Sequence, residues 1–230
     1  KDTIMIKYIR SSLNESKSAL KQAYIHNTPV NLVHNFTNDI DFNAVLQKIE
    51  RLIPSALLNN VEVVYVANVS DFNKKGRTFN AMYKDSAIYI SPEQDDAADL
   101  LDDVIHEIAH SLEKEYEDLI YGDGRLAREF LAKRRSLFYL VDKPKLSMLN
   151  YNNANYSAKF DDHIYKDLGY DYLRNVSSGL FYSPYAITSL REYWANGFEN
   201  YLLGDKNMLK DLSPVLYSKV IELIEQSEDY

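Results

Sequence analysis

The stretch "SPEQDDAADLLDDVIHEIAHSLEKEYEDL", residues 91–119, has the features of one long amphipathic helix. Ser91 stands where an N-cap is expected, Pro92 at the first helical position, and Gln94 where it completes a capping box. Apolar residues then recur along a single stripe: Ala97, Leu101, Val104, Ile105, Ile108 and Leu112. The pattern predicts a helix that begins near Ser91 and is buried along this stripe.

Two histidines lie beside the apolar stripe, four residues apart, and a glutamate directly follows the first. At this spacing both imidazoles point the same way from a helix and can bind one zinc ion, while the glutamate lies beside the water that zinc activates. We therefore predict His106 and His110 as metal ligands and Glu107 as a general base. The competing interpretation is two surface histidines on a charged helix.

A zinc hydrolase of this kind needs a third protein ligand, with the fourth position left for water. Metzincins continue with Gly and His at fixed offsets, but Glu113 and Tyr116 stand there, so that class is excluded. Glu129, nineteen residues after His110, is one candidate, although its setting is also typical of an exposed charged helix. Glu192, in the aromatic-rich "SLREYWANGFENYL" (189–202), is the other, because a carboxylate in apolar surroundings needs a partner.

Two segments together resemble the peptidase domain of anthrax lethal factor and its relatives, zinc peptidases of the gluzincin group. They are "LLDDVIHEIAHSLE" (100–113) and "YSPYAITSLREYWANGFENYL" (182–202). The resemblance covers about residues 60–115 and 180–226 and implies a zincin-like fold with Zn²⁺ as cofactor. It also implies Glu192 as the third ligand, and Tyr185 as a hydrogen-bond donor to the oxyanion of the transition state.

The chain departs from the family pattern at three places. Ala109 stands where the family usually has a smaller residue before the second histidine, and Asn196 stands where an acidic residue often orients a ligand. Asn196 can still accept a hydrogen bond from an imidazole N–H, and Glu199 is the alternative residue for orienting a ligand. The segment between His110 and Tyr185 is longer than in lethal factor, so the shape of the substrate pocket is left open.

The run from "IYGDGRLAREFLAKRR" (120–135) to "SPYAITSLREYWANGFE" (183–199) is also similar to lethal factor-like proteins of tailed-phage genomes. This similarity implies a virion-associated or secreted location rather than a cytoplasmic one, with other virion proteins as partners. Two functions follow as expectations. One is a zinc endopeptidase that binds a peptide or protein in extended form; the other is a virion structural or assembly protein that keeps the fold and zinc with little or no turnover.

The rest of the chain predicts an α+β domain that is mainly helical, with a small, mostly antiparallel sheet next to the histidine helix. Short β-branched and aromatic runs at 61–67, 78–84 and 87–91 predict the strands, and either of the last two is a candidate for pairing with an extended substrate. Predicted helices follow the periodicity: about Ile4–Tyr24, Phe42–Leu52 with Asp41 as N-cap, Leu126–Leu140, Ser189–Leu203, and one from Ser213–Pro214 to about Ile224.

We expect residues 1–55 to form a helical subdomain packed on a lethal factor-like peptidase domain, residues 56–230, with a long insertion at about 143–182 of limited regular structure. His163 in this insertion stands beside Asp161 and Asp162, which suggests either a metal ligand or, more in keeping with its isolation, a loop histidine. Because the chain begins with Lys1, a removed signal or pro-segment stays open.

Composition excludes several classes of protein. The net charge of −8 argues against sequence-independent binding of nucleic acid. We expect the one locally basic run, "AKRRS" (132–136), to be an exposed helix face. No apolar run approaches the roughly 20 residues that span a bilayer, so no membrane partner is expected. With no cysteine in the chain, a metal must be held by His, Asp or Glu.

Overall fold

The structure, a computed structural model, describes residues 21–69, 73–74, 77–142 and 144–228. It is an α+β protein in which helices predominate. Its contacts divide the chain into two compact units, Lys1–Ser111 and Leu112–Tyr230, which are described one after the other. Among the described residues, none of the helices is both long and apolar enough to cross a membrane.

The first unit contains the sheets. Strands β1 (Lys21–Ile25), β2 (Thr28–Leu32), β3 (Val63–Val66), β6 (Ala81–Lys84) and β7 (Ala87–Ile90) form a five-stranded sheet in the order β1-β2-β3-β7-β6. Strands β4 (Asn73–Lys74) and β5 (Arg77–Thr78) form a separate pair. Helix α1 (Phe42–Leu52) lies between β2 and β3 in the chain, and helix α2 (Ala97–Leu112) follows β7.

The five-stranded sheet is mixed, so the prediction of a mostly antiparallel sheet is wrong. Pairs β1–β2 and β6–β7 are antiparallel, but β2–β3 and β3–β7 are parallel. The β2–α1–β3 unit supplies the kind of crossover that parallel neighbours require. Strand β7 is buried at every position, and its continuous apolar run is typical of a central strand covered on both faces rather than of an alternating one.

The N-terminal predictions have mixed outcomes. Residues 4–20 of the predicted first helix lie outside the described residues, and its last part is wrong, because Lys21–Ile25 is a strand. Helix α1 is confirmed with its predicted cap, since the Asp41 side chain accepts a hydrogen bond from the Ala44 N–H at 3.1 Å. Strand β2 pairs with β3 in one sheet, while a subdomain boundary near residue 55 stays a prediction.

A tight two-residue turn joins β6 to β7. Asp85 and Ser86 both have left-handed backbones, with φ of 51° and 58°, and such a pair matches the type I′ turn of β-hairpins. The turn returns the chain so that β6 lies at the edge of the sheet and β7 inside it. Of the two strands considered for substrate pairing, β6 is therefore the one at an edge of the described sheet.

Helix α2 begins later than predicted. Its cap is Asp96, whose Oδ1 accepts hydrogen bonds from the N–H groups of Ala98 (2.7 Å) and Asp99 (3.0 Å). Ser91 instead closes a turn before the helix, with its Oγ accepting from Glu93 N–H at 3.1 Å, so the predicted start at Ser91 is wrong. The predicted apolar stripe is buried from Leu101 to Leu112, but Ala97, its predicted first member, is exposed.

The second unit is helical in its described part. Its helices are α3 (Arg125–Leu140), α4 (Met148–Tyr151), α5 (Ala158–Asp162), α6 (Tyr170–Val176), α7 (Leu190–Leu203), α8 (Lys206–Leu212) and α9 (Pro214–Glu228). Short π-helical turns at Asp118–Gly122 and His163–Leu168 and a 3-10 turn at Tyr185–Ile187 complete it. The predictions of α3, α7 and α9 are confirmed, whereas the stretch 144–182 contains more short helices than expected.

Helix α3 buries part of its basic run, contrary to the prediction of an exposed face. Lys133 donates to the Leu212 carbonyl (2.7 Å) and to Ser213 Oγ (2.6 Å). The Arg134 guanidinium, 1% exposed, stacks on the Phe160 ring at 3.6 Å from its centroid. These partners are distant in sequence, so local composition gave no sign of them.

Candidate metal centre

His106 and His110 stand one turn apart on α2, as the spacing predicts. Their ring centroids are 4.9 Å apart, with the rings inclined at 77°. Both are half-buried, whereas Ile105 and Ala109, their neighbours on the apolar stripe, are completely buried. The burial of the stripe thus fixes the helix while the two imidazoles keep access to solvent.

Glu107 contacts the edge strand of the sheet. Its Oε2 accepts a hydrogen bond from the backbone N–H of Tyr83 in β6 at 2.5 Å. The Tyr83 hydroxyl is anchored in turn by donating to the Asn60 carbonyl at 3.0 Å. The carboxylate of the predicted base is therefore held at the β6 edge of the sheet, one residue along the helix from His106.

Asp103 is a titratable group that the motif did not point to. The pKa of Asp103 is raised to about 7, chiefly by burial and then by the charge of Asp99; the charge of Glu107 acts in the same direction, and a hydrogen bond from Gln94 opposes them. Asp99, Asp103 and Glu107 follow each other at four-residue intervals on α2, which is the sequence signal that could have identified this row. Protonation of Asp103 near neutral pH reduces the negative charge beside Glu107.

Glu192 lies in the first turn of α7. The N-cap Ser189 accepts a hydrogen bond from the Glu192 N–H through its Oγ at 3.3 Å. A carboxylate in this position is favoured by the positive end of the helix dipole. The side chain is half-buried, although the helix after it is almost entirely buried from Tyr193 to Phe198.

His106, His110 and Glu192 form a group that could hold a metal ion. One ligand atom from each lies within 4.8 Å of the others, and all three residues are half-buried. Within the described part of the chain, no other group of three or more His, Cys, Asp or Glu residues comes together in this way. The sequence alone left the third ligand open between Glu129 and Glu192, and the geometry favours Glu192.

Glu129 is engaged elsewhere. Its Oε1 accepts from the Tyr193 hydroxyl (2.9 Å) and the Leu216 N–H (3.2 Å), and its Oε2 accepts from the Val215 N–H at 2.8 Å. These amides belong to the first turn of α9, where a helix has N–H groups without internal partners. Glu129 thus caps α9 from another helix.

The remaining predicted site residues lie on the same helix as Glu192 or just before it. Tyr185 is half-exposed in the 3-10 turn that precedes α7, and its carbonyl accepts from Thr188 Oγ1 at 2.8 Å. Asn196 is buried and donates through Nδ2 to Glu199 Oε2 at 3.5 Å, so these two contact each other. Their roles at the metal stay predictions.

An ion pair joins the ends of the two ligand-bearing segments. Glu113, the first residue after α2, accepts at Oε2 from Arg191 Nε (2.7 Å) and from the Tyr121 hydroxyl (3.1 Å). The bond to Glu113 raises the pKa of Arg191, and burial followed by the charge of Glu113 raises the pKa of Tyr121. Arg191 therefore stays charged and Tyr121 stays a donor across the neutral range.

His163 belongs to a separate buried network. Its Nε2 lies 3.0 Å from the Tyr151 hydroxyl, and its Nδ1 lies 3.1 Å from Asp167 Oδ2. Its sequence neighbours Asp161 and Asp162 bond to Tyr156 and Lys166 instead. His163 is 1% exposed, so it is a core residue of the 144–182 stretch rather than the loop histidine that its isolation suggested.

Comparison with known proteins adds no family assignment. The chain matches no protein-family model, no curated protein and no solved structure. The resemblance to the lethal factor family therefore rests on the two motifs, and the zincin-like identity of the fold stays a hypothesis.

Proposed function

We propose that the chain is a zinc-dependent endopeptidase of the lethal factor-like gluzincin type. The observation that carries the proposal is the group His106, His110 and Glu192, whose ligand atoms lie within 4.8 Å of one another. Two residues of this group come from the motif and the third from a segment 82 residues further on. An accidental pair of surface histidines would not require that third residue.

The donor set fits zinc. Two imidazole nitrogens and one carboxylate oxygen are the ligands of catalytic zinc sites, which leave one position open for water or substrate. Half-burial of all three residues agrees with an open position, since a purely structural site would be closed. When bound, zinc supplies Lewis acidity that polarises a peptide carbonyl and lets a water molecule lose its proton near neutral pH.

The protein's own part in the reaction is proton transfer and orientation. Glu107 takes a proton from the attacking water and delivers it to the amine that leaves, as a general base and then a general acid. Its hydrogen bond from Tyr83 N–H holds the carboxylate at the sheet edge. By the resemblance, Tyr185 donates a hydrogen bond to the carbonyl oxygen as negative charge develops there.

The substrate is a peptide in extended form. Strand β6 is an edge strand of the five-stranded sheet, and the N–H of Tyr83 in β6 donates to Glu107. Extended peptides bind such edges through backbone hydrogen bonds, with specificity from alternate side chains. A peptide paired with β6 would lie next to the carboxylate that acts on it.

The test combines metal analysis with digestion of a peptide library by the purified full chain. We expect about one zinc per chain and cleavage at internal peptide bonds. Glu107→Gln should keep the zinc and lose cleavage; Glu192→Ala should lose both. Cleavage by Glu107→Gln at the wild-type rate would exclude Glu107 as the base.

The same experiment addresses the second function. A virion structural or assembly protein that retains the zinc site would bind zinc without cleaving any member of the library. Absence of zinc from the wild-type chain, tested with excess zinc supplied, would exclude both forms of the proposal.

A further inference from the structure

The bond between Glu113 and Arg191 joins two residues that flank metal-ligand candidates. Glu113 is three residues after His110 and follows directly on the last residue of α2. Arg191 is the residue before Glu192, in the first turn of α7. The 2.7 Å bond between them is thus a link from the end of one ligand-bearing helix to the start of the other.

The Glu113 carboxylate is a buried hydrogen-bond acceptor with two defined donors, unlike a carboxylate on the protein surface. Only 9% of the residue is exposed, and a buried carboxylate requires partners. Arg191 and Tyr121 both donate to the same oxygen, Oε2, at 2.7 and 3.1 Å. Tyr121 comes from the π-helical turn Asp118–Gly122, so a third segment holds the carboxylate in place.

Global stability is a poor explanation for the pair. Without Arg191 the Glu113 carboxylate keeps Tyr121 as a donor, the Arg191 side chain is 62% exposed, and ion pairs with an exposed partner contribute little to folding. A change of a few tenths of an ångström in the first turn of α7, in contrast, moves the backbone that carries Glu192. Metal sites are sensitive to such displacements, because residues around the ligands set ligand orientation.

We infer that Glu113, Arg191 and Tyr121 are positioning residues that fix the first turn of α7 against the end of α2 and so set Glu192 for the metal. This inference rests on the proposed zinc site. It assigns a part in metal affinity to three residues that neither the histidine spacing nor the resemblance named as site residues.

The test measures the zinc affinity of the full-length chain by competition with a chromophoric chelator. Glu113→Gln and Arg191→Met each remove one partner while keeping most of the side-chain volume, and each should weaken zinc binding by about 10-fold. The double variant should be no weaker than the weaker single variant, because both changes remove the same interaction. Arg191→Lys, which keeps the charge, should recover part of the affinity.

The direction of the change in zinc affinity distinguishes a positioning role from a purely electrostatic effect of the two charges. Loss of the negative charge of Glu113 disfavours a bound cation, but loss of the positive charge of Arg191 favours it. A field effect alone therefore predicts tighter zinc binding by Arg191→Met, whereas positioning predicts weaker binding. Zinc binding by Arg191→Met at or above wild-type affinity would overturn the inference.

Two further variants guard against misinterpretation. Arg174→Met removes the same charge from an exposed pair with Asp171 on α6 and should leave zinc affinity unchanged. Tyr121→Phe removes one hydrogen bond with minimal change of shape, so it tests the cluster even if a charge variant fails to fold. We expect the visible spectrum of the Co²⁺ form to change in Tyr121→Phe, and an unchanged spectrum and affinity would count against its role.

Failure of the inference differs from failure of the proposed function. A wild-type chain that binds no zinc overturns the zinc site itself. A wild-type chain that binds zinc, with all cluster variants at wild-type affinity, overturns only the positioning role.

Discussion

Replacement of Glu129 by Ala separates the two glutamates that the sequence offered as third ligand. In the structure Glu129 caps α9 and receives the buried hydroxyl of Tyr193, while Glu192 joins the histidines. Glu129→Ala should therefore destabilise the fold and keep the zinc. Glu192→Ala should lose the zinc and leave the stability of the fold nearly unchanged.

The expected loss of stability follows from the bonds that Glu129 makes. Removal of a helix cap costs about 0.5–2 kcal/mol, and a buried hydroxyl left without its partner costs about 1–3 kcal/mol more. Tyr193 is 2% exposed, so its hydroxyl has little access to bulk water. We expect a total of about 3 kcal/mol, or a fall in Tm of about 6–12 °C in a chain of this length.

The assay is urea unfolding of the metal-free variants, followed by zinc analysis of the same preparations. Glu192→Ala should change the unfolding free energy less than Glu129→Ala does, because a carboxylate at a helix N-terminus contributes about 0.3–1 kcal/mol through the helix dipole. Zinc loss in Glu129→Ala, at wild-type stability of the metal-free form, would refute the assignment of the two residues.

Three further predictions concern the second unit. Gly197→Ala would place a Cβ 2.1 Å from Cδ2 of Leu216, so we expect destabilisation of about 1–3 kcal/mol by urea unfolding; Leu216→Ala should relieve part of it in the double variant. Arg134→Met removes the donors to two carbonyls of the 144–182 stretch and should speed limited proteolysis there, whereas Arg135→Met, which removes an exposed bond to the Asn152 side chain of the same stretch, should have a smaller effect. Burial lowers the pKa of Lys133 to about 8 from 10.5, so the unfolded chain binds more protons between these values, and stability rises with pH across that window. The difference in unfolding free energy between wild type and Lys133→Met, measured from pH 7 to 11, should show this rise.

Local signals in the sequence predicted local features of the structure. The Asp41 cap of α1 depends on residues at most three positions apart, and the His106–His110 spacing depends on a single helical turn. At the start of α2 two local signals competed. Ser91 and Asp96 are both good caps, and the helix begins after Asp96, while Ser91 closes the preceding turn.

Features that depend on distant residues were beyond the sequence patterns. The parallel order of the sheet requires Val30 to pair opposite Val64, and no short-range periodicity encodes that pairing. Burial of Lys133 depends on Leu212 and Ser213, nearly eighty positions away. The third ligand is the instructive case, since Glu129 was a candidate by its spacing and Glu192 by its apolar setting, and only their places in the fold distinguish them.

The turn at Asp85 and Ser86 is a position where substitution could stabilise the protein. Each of these residues adopts a left-handed backbone that costs an L-amino acid roughly 1 kcal/mol, whereas Asn-Gly adopts it with little strain. Because the turn ends the edge strand, the exchange would tighten the hairpin without replacing any metal-ligand candidate. The same exchange would stabilise Glu107→Gln, the variant that the proposed function expects to bind a peptide without cleaving it.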